Sequence, residues 1–203
     1  ELALEHTGCG IVLDSPNARV LLAASERVKD RPLIFNSVTA VERIDEILPA
    51  AAAKRAGVIA LPMRSRMPDG AAERVEIAEE LIGRLIGAGI REEDIYIDAI
   101  IESLSAGDEK PRAALEAMRQ IRAAHPKVHL TGGLSNVSFG LPSRALLAAT
   151  YLSMAIACGL DSAILDVMSP TVKASLMAAM ALYGEDEYAM DFIRYAREAN
   201  RKV

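Results

Sequence analysis

Short apolar runs rich in Val, Ile and Leu alternate along the chain with longer segments in which apolar and polar residues are mixed. The short runs predict β-strands, and the longer amphipathic segments predict α-helices. The predicted strands cover residues 10–13, 33–35, 58–61, 95–97, 128–130 and 162–165. The predicted helices cover about 17–28, 39–56, 70–88, 111–124, 142–158, 171–183 and 187–201.

Local signals place several helix ends. Ser15 and Pro16 are typical of an N-cap and a first helical position. Thr39 and Glu42 have the spacing of a capping box. Gly57 is typical of the residue that ends a helix.

The repeated strand–helix order predicts a parallel sheet with helical crossovers. Because the strand runs are continuously apolar, we expect both faces of the sheet to be buried. An open doubly wound sheet and a (β/α)8 barrel both fit, although six units leave a barrel two units short. No linker or low-complexity stretch divides residues 1–203, so one domain is expected.

The sequence opens at Glu1 without an initiator Met, in residues typical of a helix end, so we expect it to begin inside a larger protein. Lys and Arg number 23 and Asp and Glu 28, which gives a net charge of −5 and a poor match to nucleic acid. No apolar run is long enough to span a bilayer, and no signal peptide is present. Cys9 and Cys158 are too few for a disulfide scaffold. These features favour a soluble, cytoplasmic protein.

Polar residues follow the apolar runs at five places. They are Asp14, Asn36, Asp98, Asn136 and Asp166. Each alone could cap the next helix or shape a turn. Together they would converge at the carboxyl ends of the strands, where barrel enzymes form their active sites.

The chemistry of these five side chains narrows the ligand. Carboxylates and carboxamides supply acceptors, and the amides also supply donors, which suits a flat, neutral heterocycle with N–H groups and a carbonyl. The sequence contains neither of the common phosphate-binding motifs, G-x-x-x-x-G-K-[ST] or G-x-G-x-x-G at the start of a helix. The histidines lack metal-ligand spacing, so we expect no metal site. No G-x-S-x-G nucleophile elbow is present, which argues against a serine nucleophile.

Two segments are distinctive: GGLSNVSFG at residues 132–140 and ACGLDSAI at residues 157–164. Shorter motifs precede them, namely LDS at 13–15, FNS at 35–37 and YID at 96–98. Over nearly the whole chain, and in this order, they resemble the pterin-binding methyltransferases. That family includes the methyltetrahydrofolate:corrinoid methyltransferases and the folate domain of cobalamin-dependent methionine synthase.

The resemblance implies a (β/α)8 TIM barrel, of which this sequence would supply the third to eighth βα units and lack the first two. It implies that Asn136 is the catalytic residue, beside N5 of the pterin. The same resemblance implies a set of pterin-binding residues, which are Asp14, Asn36, Asp98, Gly133, Ser135, Ser138 and Ile164. Further candidates are Ser37, Arg144 and Asp166.

The implied activity is transfer of a methyl group between 5-methyltetrahydrofolate and a corrinoid, as in one-carbon metabolism. Folate would be the substrate, and a partner protein would carry the corrinoid (cobalamin). Members of the family are often dimers, so a homodimer is expected by resemblance.

Some features depart from the family pattern. Phe139 and Gly140 stand where some corrinoid methyltransferases carry Gln, closer to the methionine synthase version, so a Gln contact is not carried over. The basic loop from Met63 to Arg66 could meet an acidic tail or partner, but we favour a solvated loop.

Two alternatives to methyl transfer remain. One is a pterin enzyme similar to dihydropteroate synthase, which would carry Ser-Arg-Lys where this chain has Ser-Asn-Val-Ser. The other is a truncated barrel that binds a pterin without turnover.

Overall fold

The computed structural model describes residues 5–200, without the side chain of Asn200. The opening residues 1–4, and the predicted end of the last helix at Arg201, lie outside this range. Five strands form one parallel sheet in the order of the chain. They are β1 (Ile11–Asp14), β2 (Leu33–Thr39), β3 (Gly57–Leu61), β4 (Ile95–Asp98) and β5 (His129–Thr131).

Within residues 7–200, seven α-helices follow the strands or lie at the carboxyl-terminal end of this range. They are α1 (Ala18–Ser25), α2 (Ile44–Lys54), α3 (Gly70–Gly87), α4 (Lys110–Ala124), α5 (Arg144–Ala157), α6 (Pro170–Tyr183) and α7 (Met190–Asn200). Because parallel crossovers are right-handed, strands that pair strictly in chain order place all their helices on one side. The doubly wound alternative needs a reversal of strand order, so the architecture is that of a partial (β/α)8 barrel.

The two faces of the sheet differ in burial. Phe35, Val58, Ile97 and Leu130 are completely buried with helix residues in one core. On the other face, here called the inner face, the side chain of Val12 is 49% exposed. The expectation that both faces are buried is therefore wrong for the described residues, since only the helix-covered face is packed throughout.

The sixth predicted strand, residues 162–165, forms only an isolated parallel bridge between Gly133 and Ile164. The Ile164 N–H donates to Gly132 O at 3.0 Å, and the Leu134 N–H donates to Ile164 O at 3.1 Å. The ladder stops there because β5 gives way to a 3-10 turn at Leu134–Ser138, which leaves the segment almost no strand to pair with.

Two of the predicted helix starts are wrong by a few residues. The first helix begins after Asn17, whose side chain accepts the Arg19 N–H at 2.9 Å, rather than after Ser15. Thr39 Oγ1 does accept the Glu42 N–H at 2.9 Å, but this contact closes a turn, and α2 begins only at Ile44.

The predicted role of Gly57 as a helix terminator is also wrong. Arg55, in the left-handed conformation, ends α2, and Gly57 opens β3. A Cβ on Gly57 would lie 3.0 Å from the side chains of both Ile34 and Tyr96. Glycine is needed here for close packing under the inner face.

No helix within residues 5–200 is long and apolar enough to cross a membrane.

Candidate functional site at the carboxyl ends of the strands

The inner face of the sheet bounds a cavity of about 410 Å³. Three of the predicted site residues line it: Asp14, Asn36 and Ile164. The remaining lining residues are Val12, Ile34, Ile59, Tyr96, Thr131, Ser162, Ala163 and Leu165. The cavity combines an apolar floor with polar groups at the strand ends, which is the composition expected of a small-molecule site.

Strand register places Asp14 and Asn36 side by side. Asp14 ends β1 and is the register partner of Asn36 in β2. Within residues 5–200, neither side chain has a hydrogen-bond partner in the protein. Polar groups beside a cavity and without protein partners are available to a ligand.

Asp98 ends β4, and its register partner on β5 is Thr131, which lines the cavity. The Asp98 Oδ1 accepts the Ile100 N–H at 2.8 Å. Burial disfavours the charged carboxylate and raises its pKa to about 6, although the Ile100 hydrogen bond acts in the opposite direction. A buried carboxyl group with a pKa near neutrality at a strand end is a feature of functional sites.

The loop after β5 carries Asn136 and Gly133. Asn136 lies in the 3-10 turn Leu134–Ser138, and its N–H donates to Gly133 O at 3.1 Å. A Cβ on Gly133 would lie 3.1 Å from Asn136 Nδ2, so the amide rests directly on this glycine. Gly133 in turn bridges to Ile164 in the cavity wall. Asn136 itself is exposed and does not line the cavity, and its side-chain amide has no hydrogen-bond partner among the described residues.

Ser138 and Arg144 have bonding partners within the same loop. Ser138 is almost fully buried, and its Oγ donates to Ser135 O at 3.1 Å. Arg144 donates to Ser138 Oγ at 3.4 Å and to Ser135 O at 3.2 Å, and its guanidinium lies 5.8 Å from the Phe139 ring centroid. These two residues brace the loop that carries Asn136, while the Ser135 side chain is exposed.

Of the predicted site residues, the structure brings Asp14, Asn36 and Ile164 into the cavity lining. The others lie outside it, namely Asp98, Gly133, Ser135, Asn136, Ser138, Arg144, Ser37 and Asp166. Ser37 is buried. Asp166 is exposed, and its Oδ1 accepts the Met168 N–H at 2.9 Å, as expected for a residue that shapes its own turn.

The basic loop after β3 has its charge balanced by α3. Arg64 pairs with Glu80 at 2.7 Å and with Glu76 at 3.4 Å, and Arg66 pairs with Glu73 at 2.8 Å. The loop is solvated, as favoured from the sequence, and its guanidinium groups already have carboxylate partners.

Sequence reasoning missed Tyr96, which lines the cavity, and Arg74, which lies in α3 outside its lining. Tyr96 lines the cavity and stacks on His129, with 4.7 Å between ring centroids. Its position two residues before Asp98 was a usable signal, because alternate strand residues share a face. Arg74, described below, interrupts the apolar stripe of α3 and is fully buried.

A larger cavity of about 610 Å³ lies between α5, α6 and residues 159–165 and contains none of the predicted site residues. Its charged residues include Arg122 and Asp161, which bond to each other at 2.7 Å.

Solved structures share this fold. Dihydropteroate synthase from Coxiella burnetii, in complex with pteroic acid, matches with a TM-score of 0.66 and 17% identity over 89% of this chain and 71% of that one. The Yersinia pestis enzyme with a pterine-sulfa conjugate matches with a TM-score of 0.69 and 15% identity over 90% and 72% of the two chains. At such identities the likeness establishes the barrel fold alone.

Sequence comparison defines the class. The model of the pterin binding enzyme family matches residues 1–166, so this chain belongs to the pterin-binding enzymes. It is 27% identical to the methylcorrinoid:tetrahydrofolate methyltransferase of Eubacterium limosum, over 98% of this chain and 74% of that protein. It is 36% identical to methionine synthase of Mycobacterium tuberculosis over 76% of this chain, which corresponds to only 14% of that much longer protein. The resemblance inferred from the motifs is confirmed at the level of the family.

Proposed function

We propose that this protein transfers a methyl group between N5 of 5-methyltetrahydrofolate and the cobalt of a corrinoid held by a partner protein. The observation that carries the proposal is that Asp14 and Asn36 line one cavity. Asp98 is the register partner of its lining residue Thr131, and Asn136 lies against Gly133, which bridges to its lining residue Ile164. Two similar proteins support this reaction over others of the family: one is named a methylcorrinoid:tetrahydrofolate methyltransferase and the other a methionine synthase.

Pterin recognition is assigned to Asp14, Asn36 and Asp98. Carboxylates accept hydrogen bonds from the N–H groups of a pyrimidine edge, and a carboxamide can donate to its carbonyl. The cavity volume of about 410 Å³ falls in the range of roughly 300–1,000 Å³ that small-molecule sites occupy. Ile164, half-exposed in the cavity wall, offers an apolar contact to a flat ring.

Asn136 is assigned to the reacting nitrogen. A methyl group leaves N5 poorly because negative charge builds on that nitrogen as the bond breaks. A hydrogen bond donated to N5 as the charge develops lowers the barrier. The Asn136 amide can donate but cannot ionise, so the proton itself comes from water or from the ligand's surroundings.

The cavity extends along the inner face of the sheet to Asp14 at the carboxyl end of β1, and we expect a partner protein to approach the methyl group from the side of the βα loops. When the corrinoid is bound there, its cobalt supplies the nucleophile or, in the reverse direction, the methyl donor. This chain holds the pterin, orients N5 and stabilises charge on it. Gly133 allows the Asn136 amide to lie against the backbone at that place.

The proposal extends to the assembly. We assign the described strands to the third and later units of the barrel, and we expect a homodimer in the cytoplasm, as in the family that the motifs resemble. Sedimentation equilibrium of the purified protein tests the dimer.

Replacement of Asn136 tests the catalytic assignment. Methyl transfer from 5-methyltetrahydrofolate to reduced cobalamin, followed by visible absorbance, should fall about 10²–10³-fold in Asn136→Ala, while the folate Kd changes only a few-fold. Asn17→Ala is the matched control, because Asn17 only caps α1.

Equal methyl transfer by wild type and Asn136→Ala would contradict the assignment. Condensation of a pterin diphosphate with an aminobenzoate, without any dependence on corrinoid, would replace methyl transfer by the synthase reaction. Folate binding without either activity would leave a binding module.

A further inference from the structure

Arg74 of α3 is a charged side chain with no exposed surface. Its guanidinium has five N–H donors, and the structure supplies an acceptor for each. Nε donates to Ala99 O at 3.1 Å, and Nη1 donates to Gly70 O at 2.7 Å and Pro68 O at 3.4 Å. Nη2 donates to Glu102 Oε2 at 2.5 Å and Ile100 O at 3.4 Å. A buried arginine bonded in this way is fixed in one orientation.

The partners of Arg74 belong to two neighbouring βα loops. Pro68 and Gly70 close the loop after β3, whereas Ala99, Ile100 and Glu102 form the loop after β4. The Glu102 carboxylate also lies 3.7 Å from Lys110 Nζ. Arg74 therefore holds together two of the loops that follow adjacent strands of the sheet.

One peptide unit joins Arg74 to Asp98. The carbonyl of the peptide between Ala99 and Ile100 accepts from Arg74 Nε, and the N–H of the same peptide donates to Asp98 Oδ1 at 2.8 Å. Because a peptide unit is planar, fixing its carbonyl also fixes the direction of its N–H. The orientation of the Asp98 carboxylate thus depends on the Arg74 guanidinium.

The backbone at Ile100 needs this support. Ile100 has φ of 54°, a left-handed conformation that a β-branched residue rarely adopts. Arg74 bonds the carbonyls of both Ala99 and Ile100, one on each side of the strained residue. Without the guanidinium, the loop would be free to return to a more ordinary conformation, and the N–H of Ile100 would turn away from Asp98.

We infer that Arg74 is a positioning residue of the pterin site, which acts on the ligand only through the loop after β4 and the Asp98 carboxylate. The inference rests on the proposed role of Asp98 in pterin binding. Lysine cannot replace arginine here, because an ammonium group has three donors and no planar fork to span both loops.

Arg74→Lys tests the inference by calorimetric titration with 5-methyltetrahydrofolate. We expect about tenfold weaker binding, the loss of one well-oriented hydrogen bond to a charged group. Arg122→Lys is the matched control, because Arg122 also makes five bonds but lies at the opposite end of the sheet. It should lose stability and keep the wild-type Kd.

A double-mutant cycle separates positioning from a general loss of structure. In an Asp98→Asn background, Arg74→Lys should weaken folate binding no further, because the group through which it acts is already altered. Independent, additive losses from the two substitutions would overturn the inference, as would wild-type affinity in Arg74→Lys.

A second readout needs no ligand. Carbon-13 NMR of the side-chain carboxyl groups, with the Asp98 signal assigned by its loss in Asp98→Asn, gives the Asp98 titration midpoint directly. The Ile100 hydrogen bond lowers this pKa, so loosening it in Arg74→Lys should move the midpoint upward. An unchanged midpoint in a folded variant would overturn the inference even if the wild type bound no folate, in which case the proposed function alone would have failed.

Glu102→Gln serves if Arg74→Lys does not fold. Glutamine keeps an oxygen for Arg74 Nη2 but removes the charge of the pair. The folate Kd and the Asp98 titration midpoint should therefore both rise, but by less than in Arg74→Lys. A wild-type midpoint and Kd in Glu102→Gln would then count against the inference.

Discussion

At the amino end of β5, Arg122 donates five hydrogen bonds, four to backbone carbonyls and one to Asp161 at 2.7 Å. Asp161 also accepts from the Leu130 N–H at 3.0 Å and lies 3.0 Å from His129 Nδ1. At the carboxyl end of β1 and in the middle of β2, by contrast, the side chains of Asp14 and Asn36 have no hydrogen-bond partner within the described chain.

This difference in hydrogen bonding suggests that the two ends of the sheet have different roles, one in stability and the other in ligand binding. Polar groups at the amino end bond to one another and tie β5 to the residues before Ile164. Asp14 and Asn36 are held in place by strand register but have no hydrogen-bond partner among the described residues, and we propose that they bind the ligand. Barrel enzymes divide their two ends in this way. Substitutions at the two ends should therefore change different measured quantities.

The largest effect is expected from Arg122→Ala. It removes five hydrogen bonds to partly buried or exposed acceptors, so the free energy of unfolding should fall by about 3 kcal/mol in a denaturant titration. The folate Kd should stay within a few-fold of wild type. Arg112→Ala on the same helix is the control, because exposed Arg112 makes only one bond, at 3.3 Å to Asp108 O. Weaker folate binding by a folded Arg122→Ala variant would contradict the division between an amino end that stabilises the fold and a carboxyl end that binds the ligand.

Asp98→Asn should show the opposite sign, a gain of stability at the carboxyl end. The folded-state pKa of Asp98, about 6, lies above its ordinary value of 3.8, so ionisation costs the folded state stability as the pH rises from about 4 to above 6. Relative to wild type, the variant should gain up to about 3 kcal/mol at pH 8 and nothing below pH 4. Parallel stability curves for the two proteins over this range would contradict the buried carboxylate.

A smaller effect concerns the pH dependence of binding. If the ionised Asp98 carboxylate accepts hydrogen bonds from the pterin, protonation below pH 6 should weaken folate affinity, by up to about tenfold per pH unit. Calorimetric titrations of wild type and Asp98→Asn in matched buffers measure this, because titration of the ligand itself is common to both. The same pH profile in both proteins would remove Asp98 from the binding site.

The strands and their polar ends could be predicted because their signals are local. The apolar runs stop at Asp14 and Asp98, and the structure ends β1 and β4 at these residues. Pairing is not local. Residues 162–165 have the composition of a strand, but β5 has only three residues and turns away after Thr131, so only one bridge forms.

The support of the site could not be predicted for a related reason. Arg74 bonds backbone carbonyls 25 and 26 residues away, and carbonyls carry no residue-type signal. The helix starts failed similarly, because Ser15 and Thr39 can close turns as well as cap helices, and tertiary packing decides which. The sequence does contain the reactive groups of the candidate site but not the network that orients them.

The most direct test of the central claim is calorimetric titration of the protein with 5-methyltetrahydrofolate, with Asn36→Ala and Asn17→Ala compared under the same conditions. Asn36 faces the cavity without a protein partner, whereas Asn17 caps α1 away from it. We predict binding by wild type and Asn17→Ala, and about 10- to 100-fold weaker binding by Asn36→Ala. A folded wild-type protein that does not bind, or an Asn36→Ala variant that binds as tightly as wild type, would contradict a pterin site at the strand ends.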